Sequence, residues 1–529
     1  SIDFPFLDIS FTIDHQSIFK FCDNIHYLNL SYLKADYISN LSYLFSDKKS
    51  LVSIDLSNFK GPVIDNTLAG MFFNCNNLIS IDLFSFDFSN TYNITNIFKG
   101  CFSLSFLDLS NFYSSKITDF SYLFYDCDKL SQLYFDNFEG SSVSNRMDYM
   151  FANCKSLKKI DFYYLDLEKT TNVSRMFDGC TSISIAHIQN NGYAQIEDYS
   201  FMFNNCNSLT SISLITFVND KVDNIMDYMF NNCIKLRKIQ FNIGYSGFKL
   251  SCIKSMKFMF NNCSSLVDSG ELYMMINGDS DLSYMFNNCT SLIYFDLNKK
   301  LYISSESDFQ IIKYEYMFNN CTKLQSVDLS NLIIDNYLSI KGIFSNCISL
   351  SNVNLYNINI SNVIDLSYMF ENCINISYID LSSFNNFRQL NTLEGMFYNC
   401  NNLSNLNLSD FDTSKTTNMK LMFYNCSELT SLNLDNFETS LVTDMNGLFS
   451  NCKTLKSISL FAFKTSSVID MSSMFHNCES IQNLTLNNFN TSSVKRMDSM
   501  FKNCFNLVYL EVKNFKTKAV ESMTSMFEN

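Results

Sequence analysis

The sequence predicts an α/β repeat fold, a right-handed solenoid of about twenty coils, each a strand, a loop and a short helix, with one parallel sheet along the stack. Three observations predict it. A pentad of the form Met-Phe-x-Asn-Cys recurs along the chain, as at Met396–Cys400 and Met422–Cys426. Its cysteine advances by 26 or 27 residues from Cys75 to Cys504, apart from gaps of 30 before Cys263 and 32 before Cys321. The residue three before it is Phe at every step, including Phe370, Phe397, Phe423, Phe449, Phe475 and Phe501. A coil of this size cannot bury its own apolar face and must bury it against its neighbours, so a period in the twenties held over a whole chain means a stacked array.

Within a coil the elements follow from local patterning. Leu403, Leu406 and Leu408 have the spacing L-x-x-L-x-L, whose central residues alternate as a short strand does. The stretch 409–418 is polar apart from Phe411 and predicts a surface loop with that ring turned inward. Met419, Met422 and Phe423 recur at i, i+3 and i+4, which predicts a short helix with one apolar face. The residue before each ladder cysteine is Asn, Gly or Asp, the types that best tolerate a left-handed backbone, so a helix cap is expected there. With strands about 4.8 Å apart the array would run roughly 95 Å along its arc.

No linker or low-complexity boundary interrupts the repeat, so residues 1–529 read as a single continuous array. Coils over 1–70 are degenerate: Lys48 stands in the cysteine column and Pro62 in the loop. The stretch 71–180 is regular, 181–317 is irregular with insertions, and 318–529 is near consensus. In the irregular part Ala186-His187-Ile188-Gln189 replaces a clean strand, and the two long gaps place insertions around 244–252 and 298–310. Such insertions mark either a working face or drift in an unselected loop.

Composition and motif content exclude several function classes. A net charge of −14 with no basic stripe argues against a nucleic-acid partner. No apolar run is long enough to span a membrane. His15, His26, His187 and His476 fall in separate coils, and no phosphate-binding Gly loop or Ser-His-Asp constellation is present. No catalytic residue, cofactor site or enzyme activity is therefore expected. The cysteines lie tens of residues apart, which does not suit zinc. The ladder from Cys75 to Cys504 has an odd number of members, so complete pairing between adjacent coils is impossible. That leaves buried free thiols acting as small hydrophobes, or a few local bridges that involve the off-ladder Cys252. The Phe column reads as core.

Two sets of residues remain as candidate sites. Asp55, Asp82, Asp108, Asp161, Asp296, Asp328 and Asp380 share the middle of the strand. Stacked about 5 Å apart these carboxylates would repel, and calcium would relieve that; the other reading is a solvated face whose carboxylates hydrogen-bond their neighbours. Asn29, Asn40, Asn93, Asn172, Asn359, Asn375, Asn402, Asn407, Asn483 and Asn490 each begin an N-x-S/T sequon and are candidates for N-glycosylation on a secretory route.

The run Leu432-Asn433-Leu434-Asp435-Asn436-Phe437-Glu438-Thr439-Ser440-Leu441-Val442-Thr443-Asp444-Met445, with Leu448-Phe449-Ser450-Asn451-Cys452 after it, resembles the BspA-like leucine-rich repeats of bacterial and protist surface proteins. That resemblance covers essentially the whole chain. It implies a leucine-rich-repeat solenoid, an extracellular or cell-surface location, and a non-catalytic structural or adhesive role, with no functional residue defined by the motif. Two readings of the role stay open. Phe515, Met523, Met526 and Phe527 leave the last coil without a polar cap, which suggests either that the array continues further or that the chain assembles end to end with itself into filaments. Alternatively the chain is a monomeric recognition module that binds an extracellular protein or glycan through the sheet face or the 181–317 segment.

Overall fold

The structure is a computed structural model of the chain. It describes every residue other than 13–16, 111, 113, 135–144, 162–169, 190–194, 216–223, 243–252, 269–273, 277–279, 298–300, 304–311, 331, 333–337, 385–386, 410 and 529. His15 and Cys252 therefore lie outside the described residues. The chain forms two compact units, Ser1–Cys263 and Ser264–Asn529.

In the first unit the strands Ile2–Asp3, Tyr27–Asn29, Ser53–Asp55 and Ser80–Ile81 pair in that order, all parallel, with Leu28 beside Ile54 and Ile54 beside Ile81. Phe106–Asp108 pairs with Gln132–Tyr134. The four strands Lys159–Asp161, Ile185–Gln189, Ser211–Ile215 and Lys238–Asn242 make one parallel sheet. The last three are five residues long, against two or three elsewhere. The segment 186–189, read from the sequence as losing its strand, thus lies in one of the longest, because β-branched Ile185, Ile188, Ile212, Ile215 and Ile239 favour extended backbone. In the second unit Tyr294–Asp296, Ser326–Asp328 and Asn352–Asn354 form one parallel ladder. Tyr378–Ile379 pairs with Asn405–Leu406, Ser431–Asn433 with Ser457–Ser459, and Asn483–Thr485 with Tyr509–Glu511.

A second ladder runs where the sequence predicts only the end of a loop. It pairs Asn66–Thr67 with Thr91–Asn93 and Asn224–Ile225 with Ile253–Ser255 in the first unit. In the second unit it pairs Leu338–Ser339 with Val363–Asp365, then continues as single bridges from Asp365 through Thr392, Asn418, Asp444, Asp470 and Arg496 to Ser522. One parallel sheet becomes two.

The short helix of the sequence reading is absent. Among the described residues the repeat segments are strands and turns, with helical backbone at Leu297 alone, and about 16 turns of parallel solenoid are formed, so the twenty coils are not confirmed. The Met-x-x-Met-Phe-x-Asn-Cys segment is a run of tight turns. Its N–H groups alternate between two destinations. Those of Met422, Tyr424 and Cys426 donate to the carbonyls of Met419, Leu421 and Phe423, three residues back. Those of Met419, Leu421, Phe423 and Asn425 donate to Asp444, Asn446, Leu448 and Ser450 of the next coil, at 2.8–3.1 Å. A helix would direct all of these groups inward along its own axis. The turn run instead sends every second one along the stack, at the cost of two left-handed residues per coil, here Leu421 (φ 57°) and Asn425 (φ 58°). The spacing i, i+3, i+4 fits either geometry, which is why the sequence pattern misleads.

The core sits between the two ladders. Phe370, Phe397, Phe423, Phe449, Phe475 and Phe501 are buried, and their rings stack with centroids 5.5–5.8 Å apart. A second stack, Phe411, Phe437, Phe463 and Phe489, fills the loop side at 6.2–6.5 Å. Beside it a column of buried hydroxyls joins successive loops: Thr413, Thr439, Thr465 and Thr491 donate to the carbonyls of Glu438, Lys464, Asn490 and Lys516. Thr439 also accepts the N–H of Lys464 at 2.8 Å. Replacing Thr439 with Val keeps the shape and removes both bonds, so denaturant unfolding should show a loss of about 1–3 kcal/mol.

Candidate interaction surface

The strands turn alternate residues outward, as the pleat requires. Exposed apolar side chains collect there: Tyr27, Phe106, Tyr134 and Ile185 in the first unit, and Tyr294, Tyr378 and Tyr509 in the second. Phe106 and Tyr134 meet edge to face with centroids 5.9 Å apart.

The aspartate column belongs to this face, and its members act as turn acceptors. Asp55, Asp82, Asp108, Asp328 and Asp380 each accept the backbone N–H two residues on, from Ser57, Phe84, Ser110, Ser330 and Ser382, at 2.9–3.0 Å. Asp296 is buried and accepts the phenol of Tyr294 at 3.1 Å. The side chain of Asp161 lies outside the description. Where an amide follows a carboxylate the two bond across coils, as Asn354 Nδ2 does to Asp328 at 3.0 Å. The Ser382 N–H holds the Asp380 carboxyl below the usual carboxylate range. No group of three or more His, Cys, Asp or Glu that could hold a metal occurs among the described residues.

The sequons divide by geometry. The amide oxygens of Asn29, Asn40, Asn93, Asn172, Asn359, Asn407 and Asn490 accept the backbone N–H of the sequon's own Ser or Thr. Asn375, Asn402 and Asn483 are exposed, as are Asn40, Asn359 and Asn407 of the first set.

The cysteine column has a role that spacing alone does not reveal. Ladder thiols donate to the carbonyl of the Phe in the coil before: Cys426 to Phe397, Cys452 to Phe423 and Cys478 to Phe449, each at 3.2 Å. All eighteen cysteines of the described residues are free. Burial lowers the acidity of the ladder thiols, the pKa rising to about 11 at Cys504 and about 12 at Cys75 and Cys452, and well above the ordinary thiol value at Cys426 and Cys478. Thiolate is the reactive form. Alkylation of the native protein near neutral pH should therefore reach half-buried Cys22 first and leave the ladder untouched until the chain unfolds, as peptide mass mapping would read.

Asparagine before each cysteine does more than accept a left-handed backbone. Its amide donates to the residue one coil back, as Asn372 to Asn346, Asn399 to Asn372 and Asn425 to Asn399, at 2.7–3.0 Å. In the first unit the ladder doubles: Asn231 and Asn232 donate to Asn204 and Asn205, and Asn261 and Asn262 to Asn231 and Asn232. A further left-handed column, four residues earlier, escapes the sequence reading. It holds half-buried side chains stacked along the surface, with Tyr122 on Tyr149 (4.6 Å), the Arg175 guanidinium over Phe201 (3.9 Å), and Phe201 on Tyr228 (4.6 Å). The readable sign was glycine at the same place in other coils, Gly70, Gly342, Gly395 and Gly447.

Buried Leu403, Leu406 and Leu408 around a paired strand, repeated along parallel ladders, define a leucine-rich-repeat solenoid. The family model described as "Mycoplasma protein of unknown function, DUF285" matches residues 7–106, 93–212, 171–299, 312–432 and 418–529, and the chain belongs to that family. No curated protein matches it. Among solved structures it is similar to a leucine-rich repeat protein from Bacteroides ovatus, at 16% identity over 81% of this chain and 86% of that one, with a TM-score of 0.38. An internalin from Listeria monocytogenes matches at 17% identity over 60% and 84%, with a TM-score of 0.20. The leucine-rich repeat protein of T. pallidum matches at 20% identity over 36% and 77%, with a TM-score of 0.25. No helix of the described residues is long and apolar enough to cross a membrane.

Proposed function

We propose that the chain is a non-catalytic recognition and adhesion scaffold of the cell surface, which binds a protein partner through the outward strand face. The observation that carries this reading is the set of exposed aromatic side chains on that face, with Phe106 against Tyr134 beside the carboxylates of Asp82 and Asp108. Exposed aromatics on a backbone fixed by its neighbours bury much area on binding and lose little conformational freedom. The carboxylates favour a basic partner.

The test is adhesion of purified protein to a panel of matrix proteins and to cells. Wild type is compared with Phe106→Lys/Tyr134→Lys and with Leu441→Lys, an exposed loop substitution. Loss of binding in the strand-face variant alone supports the reading; equal loss, or no binding by wild type, contradicts it. End-to-end assembly is a separate reading. Electron microscopy of native material decides it, fibres supporting assembly and isolated particles opposing it. Chelation decides the calcium column in the same way, since an unchanged melting temperature after chelator treatment removes it.

A further inference from the structure

In the second unit the threonine hydroxyls from Thr413 onward bridge successive loops, whereas the described residues at the same place in the two preceding coils are apolar. Ile360 and Phe387 are buried there, and neither carries a hydroxyl to bridge the loops. The coil from Cys373 to Cys400 is also one residue longer than the regular 26. Between its loop and the one before lies an open groove of about 740 Å³, lined by Asn357, Asn359, Ser361, Ser383 and Arg388 over an apolar floor of Ile358, Ile360 and Phe387.

The groove's chemistry is one-sided. None of its described lining residues is acidic, although the whole chain has a net charge of −14. Arg388 is exposed and its guanidinium has no partner among the described residues, while its backbone N–H is anchored to the Ser361 carbonyl at 2.9 Å. The Asn359 amide oxygen accepts from Ser361 N and Oγ at 3.3 and 3.1 Å, which leaves Nδ2 as a donor. Ser383 Oγ accepts the Asn357 N–H at 3.2 Å and keeps its own proton to give. A forked cation flanked by neutral amides and hydroxyls matches a carboxylate carried on a polyhydroxylated body.

We infer that this groove binds an acidic sugar, with the carboxylate on Arg388 and ring hydroxyls on Asn359, Ser361 and Ser383. The site is independent of the strand face, because its lining residues lie outside the strands and include none of the exposed strand aromatics. Its open shape suits one or two sugar rings.

The test is calorimetric titration of the full chain with glucuronate, with glucose and with N-acetyl-aspartate amide as comparators, on wild type and Arg388→Gln. Arg388 makes no side-chain bond among the described residues, so an unchanged unfolding midpoint confirms that the variant is folded. Binding of glucuronate by wild type, weakened about tenfold or more in Arg388→Gln and in glucose, supports the site. Ser383→Ala should weaken it by a smaller factor. No glucuronate binding at 10 mM, equal binding by Arg388→Gln, or tighter binding of the aspartate derivative would overturn it, the last by showing a peptide carboxylate site instead.

Discussion

Phe423→Ala should lower stability by about 3–5 kcal/mol, the usual cost of emptying a fully buried aromatic position. The ring lies between Phe397 and Phe449, each 5.7 Å away and nearly parallel, and the Met419, Met422 and Leu448 side chains around it are buried as well. A void there touches three coils. The backbone of Phe423 is held from both sides, its N–H by Leu448 and its carbonyl by the Cys426 N–H and the Cys452 thiol, so the walls have little room to collapse. Alanine at Phe461, which is 87% exposed, is the control and should change stability by less than about 0.5 kcal/mol. Equilibrium denaturation of both variants reads the difference.

Gly395→Ala is the second large effect. Gly395 has φ 57°, where a Cβ costs about 1–2 kcal/mol. That Cβ would also stand 2.5 Å from Cε1 and 2.6 Å from Cδ1 of the Tyr368 ring, which lies over the glycine from the coil before. Tyr368 is held in place by its phenol, which donates to Glu394 at 2.7 Å. Total destabilisation should exceed about 2 kcal/mol, since ring displacement adds to the backbone strain. Adding Tyr368→Ala to Gly395→Ala should relieve the collision but not the strain, so the double mutant should lose less stability than the two single changes summed. Simple additivity of the two changes would contradict the geometry.

Much of this architecture is legible in the sequence, because a repeat multiplies weak signals. One Phe means little, but the same ring at Phe370, Phe397, Phe423 and Phe449 identifies a core column, and Leu406 and Leu408 identify a strand beside it. Asn425 was readable as left-handed for the same reason. What failed was the conformation between these columns. Met419, Met422 and Phe423 satisfy a helical period, and nothing in single-chain periodicity records that Leu421 can send its N–H to Asn446 in a neighbouring coil. Inter-coil bonding is a property of the stack. The aspartate column left two readings, a cation or carboxylates hydrogen-bonded to their surroundings, and Asp55 and Asp380 each give one oxygen to the N–H of Ser57 and Ser382. The Arg388 groove had no sequence signal beyond one extra residue between Cys373 and Cys400.

The central claim is that coils are held by backbone bonds running along the stack, in place of a helix within each coil. Far-UV circular dichroism of the purified chain tests it most directly. The account predicts a spectrum of strand and turn with no helical minimum at about 222 nm, lost together with the thiol protection of the cysteine column. A pronounced helical minimum, of the size expected if each Met-x-x-Met-Phe segment formed a helical turn, would contradict it.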